Sequence, residues 1–377
     1  VPRTAPSARH AAPRTGTGGR ICALLAVLFA LVLGAAVTVP ALADPGRRTE
    51  PAARGASAPS GRTLFASPGV DLRRLLASLR PGDTLRLEPG TYDPLAPGTA
   101  NPDLLRPHLT RGTAEHPIRV TAADRARPPL LVGAIQFDHA DYWTFSHLRI
   151  VGNVAHTPSL VFNGGTGWLF ADSEVSGAAE TGALANVAIE GATADGTMPT
   201  HWRFARNCVH GGGDDPAVHP GRMHEIYVTA QGDAFGHITR NVLYDTPDGA
   251  AVKVGFGGVI GALGASDVLI AGNTMVDNGR QVLVFGRVDR VSIQDNLMVD
   301  TTYVMSDGRT RPAIYLNRLS GMGSVVGGNY VWASNRSIFD LASAPGSWQN
   351  AGGNAVRQQP PRLAGTGCAM HPTGSRG

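Results

Sequence analysis

Lysine is nearly absent from this chain. Of its 33 basic residues one is lysine, Lys253, and the other 32 are arginine. Arginine stays protonated in proteins, whereas lysine can lose its proton when desolvated. One position therefore offers an amine that can act as a base. Cysteine is scarce as well: Cys22, Cys208 and Cys368 show no C-x-x-C spacing, which gives no sign of a zinc or dithiol centre. Aromatics make up only 6% of the chain, against 48 glycines and 27 prolines, a balance that favours turns and short strands over long helices.

The one long hydrophobic run lies near the start. Arg3, Arg9, Arg14 and Arg20 precede "ICALLAVLFALVLGAAVTV", and "ALA" at 41–43 stands before Asp44. This pattern predicts a signal peptide over 1–43, cleaved after Ala43, and a secreted product with no remaining membrane attachment. An uncleaved anchor is the alternative, since the run is long enough to span a bilayer. Removing the four leader arginines leaves 33 − 4 = 29 basic residues against 29 acidic ones. A neutral mature chain gives no electrostatic reason to expect a nucleic-acid partner. In an oxidising compartment Cys208 and Cys368 could pair, but sequence does not show that they meet.

Residues 44–61, rich in Pro, Ala, Gly and Ser, read as a disordered linker. Asp71 then offers an N-cap to a helix with Leu72, Leu75, Leu76 and Leu79 on one stripe. Beyond it the chain repeats: "RNCVHG", "RNVLYD", "GNTMVD", "DNLMVD" and "GNYVWA" place Asn at 207, 241, 273, 296 and 329, spaced by 34, 32, 23 and 33. Three residues before each Asn stands Phe204, Ile238, Ile270, Ile293 or Val326; two after it stands Val209, Leu243, Met275, Met298 or Val331. An Asn that tolerates left-handed backbone between short apolar strands describes a corner. Such units bury their apolar rows only by stacking, with the Asn side chains laddered along the stack. The leucine helix would cap the open end of this all-β solenoid. Residues 351–377, without periodicity, read as a tail.

"LRPGDTLRLEPGTYD", followed by "RGTAEHPIRVTA" at 111–122, resembles the opening of secreted right-handed parallel β-helix proteins of the chondroitinase-B and alginate lyase-like group. The Asn-corner units are similar to generic repeats of the pectate-lyase superfamily. The resemblance covers roughly 62–350 and implies a right-handed parallel β-helix acting on polysaccharide as a monomer.

Apolar alternation sets a register. Ile226 and Val228, Val252 and Val254, Val282 and Val284, and Ile314 and Leu316 would point inward. Tyr227, Lys253, Leu283 and Tyr315 then form one outward column, with Glu225, Ala251, Gln281 and Ala313 in the next. β-Elimination from a uronic acid needs a neutralised carboxylate, a base for the adjacent ring proton and an acid for the leaving oxygen. Lys253 is the candidate base and His224 an alternative. Arg280 and Arg287 could clamp the carboxylate, Tyr227 or Tyr315 could donate the proton, and Gln281 would contact sugar. The resembled family pairs a Lys base with an Arg one coil later and holds calcium with Asn and Glu ligands. Calcium is accordingly a candidate cofactor, with Glu225 and Glu190 as its oxygen ligands. A second enzyme class stays open: Asp214-Asp215, then "GHI" at 236–238 and "VKV" at 252–254, partly resemble the polygalacturonase order, in which paired carboxylates hydrolyse the glycosidic bond. A non-catalytic glycan-binding or cell-surface solenoid is the third reading.

Overall fold

Strands of three to seven residues with alternating apolar positions leave an inner row of side chains that only a neighbouring coil can cover. A computed structural model of the chain shows that stacking. It describes residues 61–93, 104–192, 195–212, 223–230, 232–255, 264–301, 312–320, 322–332, 339–340, 348–359 and 361–373. All of these belong to one compact unit, Ser57–Gly377. The leader and all of the linker except Gly61 lie outside the described residues, as do Asp214 and Asp215.

Among the described residues, an 11-stranded and a 17-stranded sheet form the body, and both are built from parallel pairs. Trp143–Ser146, Leu169–Ala171 and Arg203–Ala205 are neighbours in the smaller sheet although other strands separate them in sequence. The chain therefore completes a coil between neighbours: a parallel β-helix, for which right-handed crossovers are the rule. The predicted apolar rows are in register. Phe204, Ile238, Ile270, Ile293 and Val326 stack in one column, and Val209, Leu243, Met275, Met298 and Val331 in another. All ten belong to the buried core. Nearer the N-terminus the core is aromatic, with Phe162 stacked on Trp168 at 4.0 Å and Phe170 on Phe204 at 5.3 Å between ring centroids.

The asparagine ladder is continuous. Backbone N–H groups of Asn207, Asn241, Asn273, Asn296 and Asn329 each donate to the side-chain oxygen of the next rung at 2.8–3.1 Å, ending on Asn354. Each side-chain amide also donates to a carbonyl of the preceding corner, such as Asn273 to Ile238. A buried amide left without its partner costs about 1–3 kcal/mol, so each rung depends on the next. The left-handed backbone sits one residue earlier than predicted, at Arg206, Arg240, Gly272, Asp295 and Gly328, with φ between 53° and 65°. Asn is needed for its amide, and the preceding residue makes the bend. Two earlier coils turn the same way at His147 and Asp172, where Ser173 replaces the Asn and accepts from Leu148 N at 3.1 Å.

The capping helix is Leu72–Ala77, with Asp71 Oδ1 accepting from Arg74 N at 2.9 Å. Leu72, Leu76 and Leu79 join the core and Leu75 packs against it. At the other end, the segment without periodicity is anchored. Cys208 and Cys368 form a disulfide across 160 residues, and Leu363–Ala364 pairs antiparallel with His371–Pro372. Leu363 and Met370 of this hairpin pack on Val276, Leu297 and Val299.

Candidate functional site

The column of outward side chains forms as its alternation dictates. Tyr227, Lys253, Leu283 and Tyr315 occupy successive coils in direct register, flanked by the inward Ile226, Val252, Val282 and Ile314. Lys253 Nζ lies 4.1 Å from the centroid of the Tyr227 ring. Two coils on, the Arg280 guanidinium carbon is 5.8 Å from the Tyr315 ring. Partly exposed cation–π contacts contribute about 0.5–1 kcal/mol each, and here they orient the two cations. Tyr227, Lys253 and Tyr315 are partly exposed, whereas Arg280 is buried.

His224 ties the two pairs together from beneath. It shares a register row with Ala250 and Arg280, and its ring meets Tyr227 edge-on at 5.5 Å. Ala250 N donates to its Nδ1 at 3.1 Å, which leaves the ring hydrogen on Nε2. Burial, then the charges of Lys253 and Arg280, hold its pKa well below the usual imidazole value. The role of alternative base does not suit it: Nδ1 is occupied, and the whole side chain is enclosed. Burial, and then the charge of Glu190, push the Tyr227 phenol up to about 12. It stays protonated at neutral pH, as a proton donor requires.

Two residues predicted on the surface are inside. Glu225 is fully buried, with one carboxyl oxygen accepting from Asn186 Nδ2 at 2.7 Å and the other from Gly212 N at 2.9 Å. Gln281 is equally buried, taking a bond from Asn278 Nδ2 at 2.8 Å and donating to Val299 O and Asp300 O. The row they share turns inward: Ala251 and Ala313, in register with them, belong to the hydrophobic core. Gln281 N and Val282 N both donate to Ala313 O, which breaks the alternation there, so the column beside Lys253 is a polar seam inside the coil and not an outward face. Burial pushes the Glu225 carboxyl up to about 8.

Glu190 is partly exposed and stands in a row with Asn163 and Asp138. Glu225 lies beside Asn186, four residues back along the strand, or roughly 13 Å at the usual rise. Glu225 and Glu190 therefore do not converge on one ion, and both Glu225 oxygens already accept hydrogen bonds within the fold. Among the described residues, the one His/Cys/Asp/Glu group with its ligand atoms close together is Cys208, His210 and Cys368, and the disulfide consumes both thiols. Arg287 closes its strand in register with Ser320.

Glu225 makes a pH dependence measurable. Its folded pKa of about 8 lies above an unfolded value of roughly 4.3. The folded chain keeps a proton that the unfolded chain releases, so this group's contribution is greatest below about 4.3 and declines as pH rises toward 8. Glu225→Gln removes that decline. Melting temperatures from pH 5 to 8 are expected to show the variant gaining on the wild type as pH increases; a constant difference would rule out a protonated Glu225.

No family model and no curated protein sequence matches this chain. Among solved structures it is similar to an alginate lyase from Paenibacillus sp. str. FPU-7, at 15% identity and TM-score 0.47 over 79% of this chain and 96% of that one. It is also similar to the A-module of the mannuronan C-5 epimerase AlgE4 from Azotobacter vinelandii, at 14% identity and TM-score 0.41 over 74% and 90% of the two chains. A third similar structure, at 12% identity and TM-score 0.45 over 78% and 92%, is the endo-xylogalacturonan hydrolase from Aspergillus tubingensis.

Proposed function

We propose that this protein is a secreted, monomeric β-helix enzyme that cleaves an acidic glycan by β-elimination. The observation that carries the reading is the paired arrangement of Lys253 on Tyr227 and Arg280 on Tyr315 along one sheet face. The charge of Arg280, buried against Tyr315, acts on the uronate carboxylate from beneath the face, which acidifies the adjacent ring C–H. Desolvated under bound substrate, Lys253 releases its own proton to solvent, and its neutral amine then takes the ring proton. The electron pair left on carbon forms the new C=C bond as the C–O bond to the leaving sugar breaks, and the leaving oxygen takes the phenolic proton of Tyr227. The exposed faces of Tyr227 and Tyr315 offer stacking surfaces for sugar rings. No step passes through a metal ion.

The test is direct. The mature protein is incubated with pectate, alginate and chondroitin, and the ultraviolet absorbance of unsaturated products is followed. A rise on at least one uronate is expected. Reducing sugar without that absorbance would replace elimination by hydrolysis and turn attention to Asp214 and Asp215. Binding without any cleavage would make the protein a non-catalytic glycan-binding solenoid.

A further inference from the structure

Four arginines converge on a cavity at the other end of the sheet that carries Lys253. The helix Leu72–Ala77 turns Leu72 and Leu76 into the core, so Arg73, Arg74 and Ala77 face away from it, toward the segment 106–111. Between them lies a cavity of about 640 Å³, lined also by Arg106, Arg111, Asp138 and His139. That volume is in the range of sites that enclose a small ligand. Its walls are held in place: Leu105 and Leu109 are anchored in the core, Trp143 Nε1 donates to Thr110 O at 2.8 Å, and Gly112 N donates to Asp141 O at 2.9 Å.

The charges do not cancel. Four arginines face two lining aspartates, Asp71 and Asp138, and both acids are already engaged. Asp71 caps the helix. Asp138 accepts from Arg106 Nε at 2.5 Å, Gln136 Nε2 at 2.9 Å and Asn163 Nδ2 at 2.9 Å. Arg111 Nε rests on Asp141 at 3.1 Å. Bonds through Nε orient a guanidinium and leave its other donors for a second acceptor. Arg73 and Arg74 form no ion pair with any other described residue.

The cavity is separate from the Lys253 site. Gln136, Val161, Ala188, Tyr227 and Lys253 lie in register, four strand steps or roughly 19 Å from end to end. Val161 and Ala188 between them are buried, so no open groove joins the two places. We propose that the cavity is a second glycan-binding site, which holds the carboxylates of an acidic oligosaccharide in planar guanidinium pairs while Pro107, Leu109 and Ala77 meet the sugar C–H faces. The choice of ligand rests on the acidic-glycan reading above. Holding a polymer here raises its effective concentration at Lys253.

The experiment uses the Lys253→Ala protein, so that no turnover intervenes, with tetragalacturonate and tetramannuronate as probes and xylotetraose and inorganic sulfate as controls. Hydrogen exchange is expected to slow over 71–79 and 104–112 with at least one tetrauronate and with neither control. Adding Arg73→Ala and Arg74→Ala is expected to weaken that protection on the order of tenfold or more, with the melting temperature showing that the fold is kept. No protection of these segments, protection by xylotetraose or sulfate equal to that by the uronates, or indifference to the arginine changes would each overturn the second site. Wild-type protein that yields no unsaturated product while the protection persists would overturn the lyase reading and leave this site standing.

Discussion

Lys253→Ala is expected to lower the rate of unsaturated-product formation by about 10²–10⁴, the usual contribution of a general base. The side chain is partly exposed and contributes to no core cluster, so the melting temperature is expected to change little. Lys253→Arg is the sharper variant. It keeps a cation over the Tyr227 ring but cannot yield a neutral base, and the same loss of rate is expected. If Lys253→Arg retained the wild-type rate, the position would be acting through its charge alone and the base would have to be sought elsewhere. If Lys253→Ala retained it, the elimination chemistry assigned to this site would fall. Initial rates on the best uronate, with thermal melts of all three proteins, decide among these outcomes.

The column containing Lys253 was legible because alternation is a local property. "HEIYV" and "AAVKV" each state which residues point inward, and the observed pairing of Tyr227 with Lys253 follows from aligning those inward rows. Alternation says nothing of what lies over the outer face. Alternation puts Glu225 and Gln281 outward with Tyr227 and Lys253, yet their row joins the core through Ala251 and Ala313 and bonds to Gly212, Val299 and Asp300, contacts that depend on where the corner breaks the period. The same limit applies to the corners. The Asn repeat reveals the ladder, but Ser173 and Asn354 continue it in coils outside the Asn grammar, because any side chain able to accept from the preceding corner's backbone N–H can serve as a rung. The pairing of Cys208 with Cys368 is non-local in the extreme, and no spacing rule reaches it. His224 was found by its place beside Glu225; its enclosure, which changes its role, comes from the Gly249–Ala250 backbone packing against it.

That backbone contact leads to the largest expected effect on the fold. Gly249→Ala places a methyl group where the carbonyl oxygen of Met223 already stands. The oxygen cannot move aside cheaply, since it is backbone and accepts from Ala250 N and Thr246 Oγ1 at 3.2 Å each. Gly279 in the following coil meets Pro247 O and Gly249 O in the same way, so displacing one strand pushes on the next. Forced overpacking of this kind costs about 1–3 kcal/mol where side chains can yield and more where they cannot; with backbone on both sides, the upper end or beyond is expected. Gly196→Ala is the matched control, because its φ of 72° is strained for alanine but its Cβ enters open space, a penalty of about 1–2 kcal/mol. The predicted order of melting temperatures is wild type, then Gly196→Ala, then Gly249→Ala by a wide margin, with loss of soluble protein as the limiting form of the last. Any folded Gly249→Ala protein carries a second signature. Ala250 N is the donor that holds His224 Nδ1, and Lys253 follows three residues later on the same strand. Separation of the strands therefore moves Lys253 off Tyr227 and lowers turnover more than the melting shift alone explains. A Gly249→Ala protein that melts and turns over like wild type would show that the close packing of these coils does not set the geometry of the site.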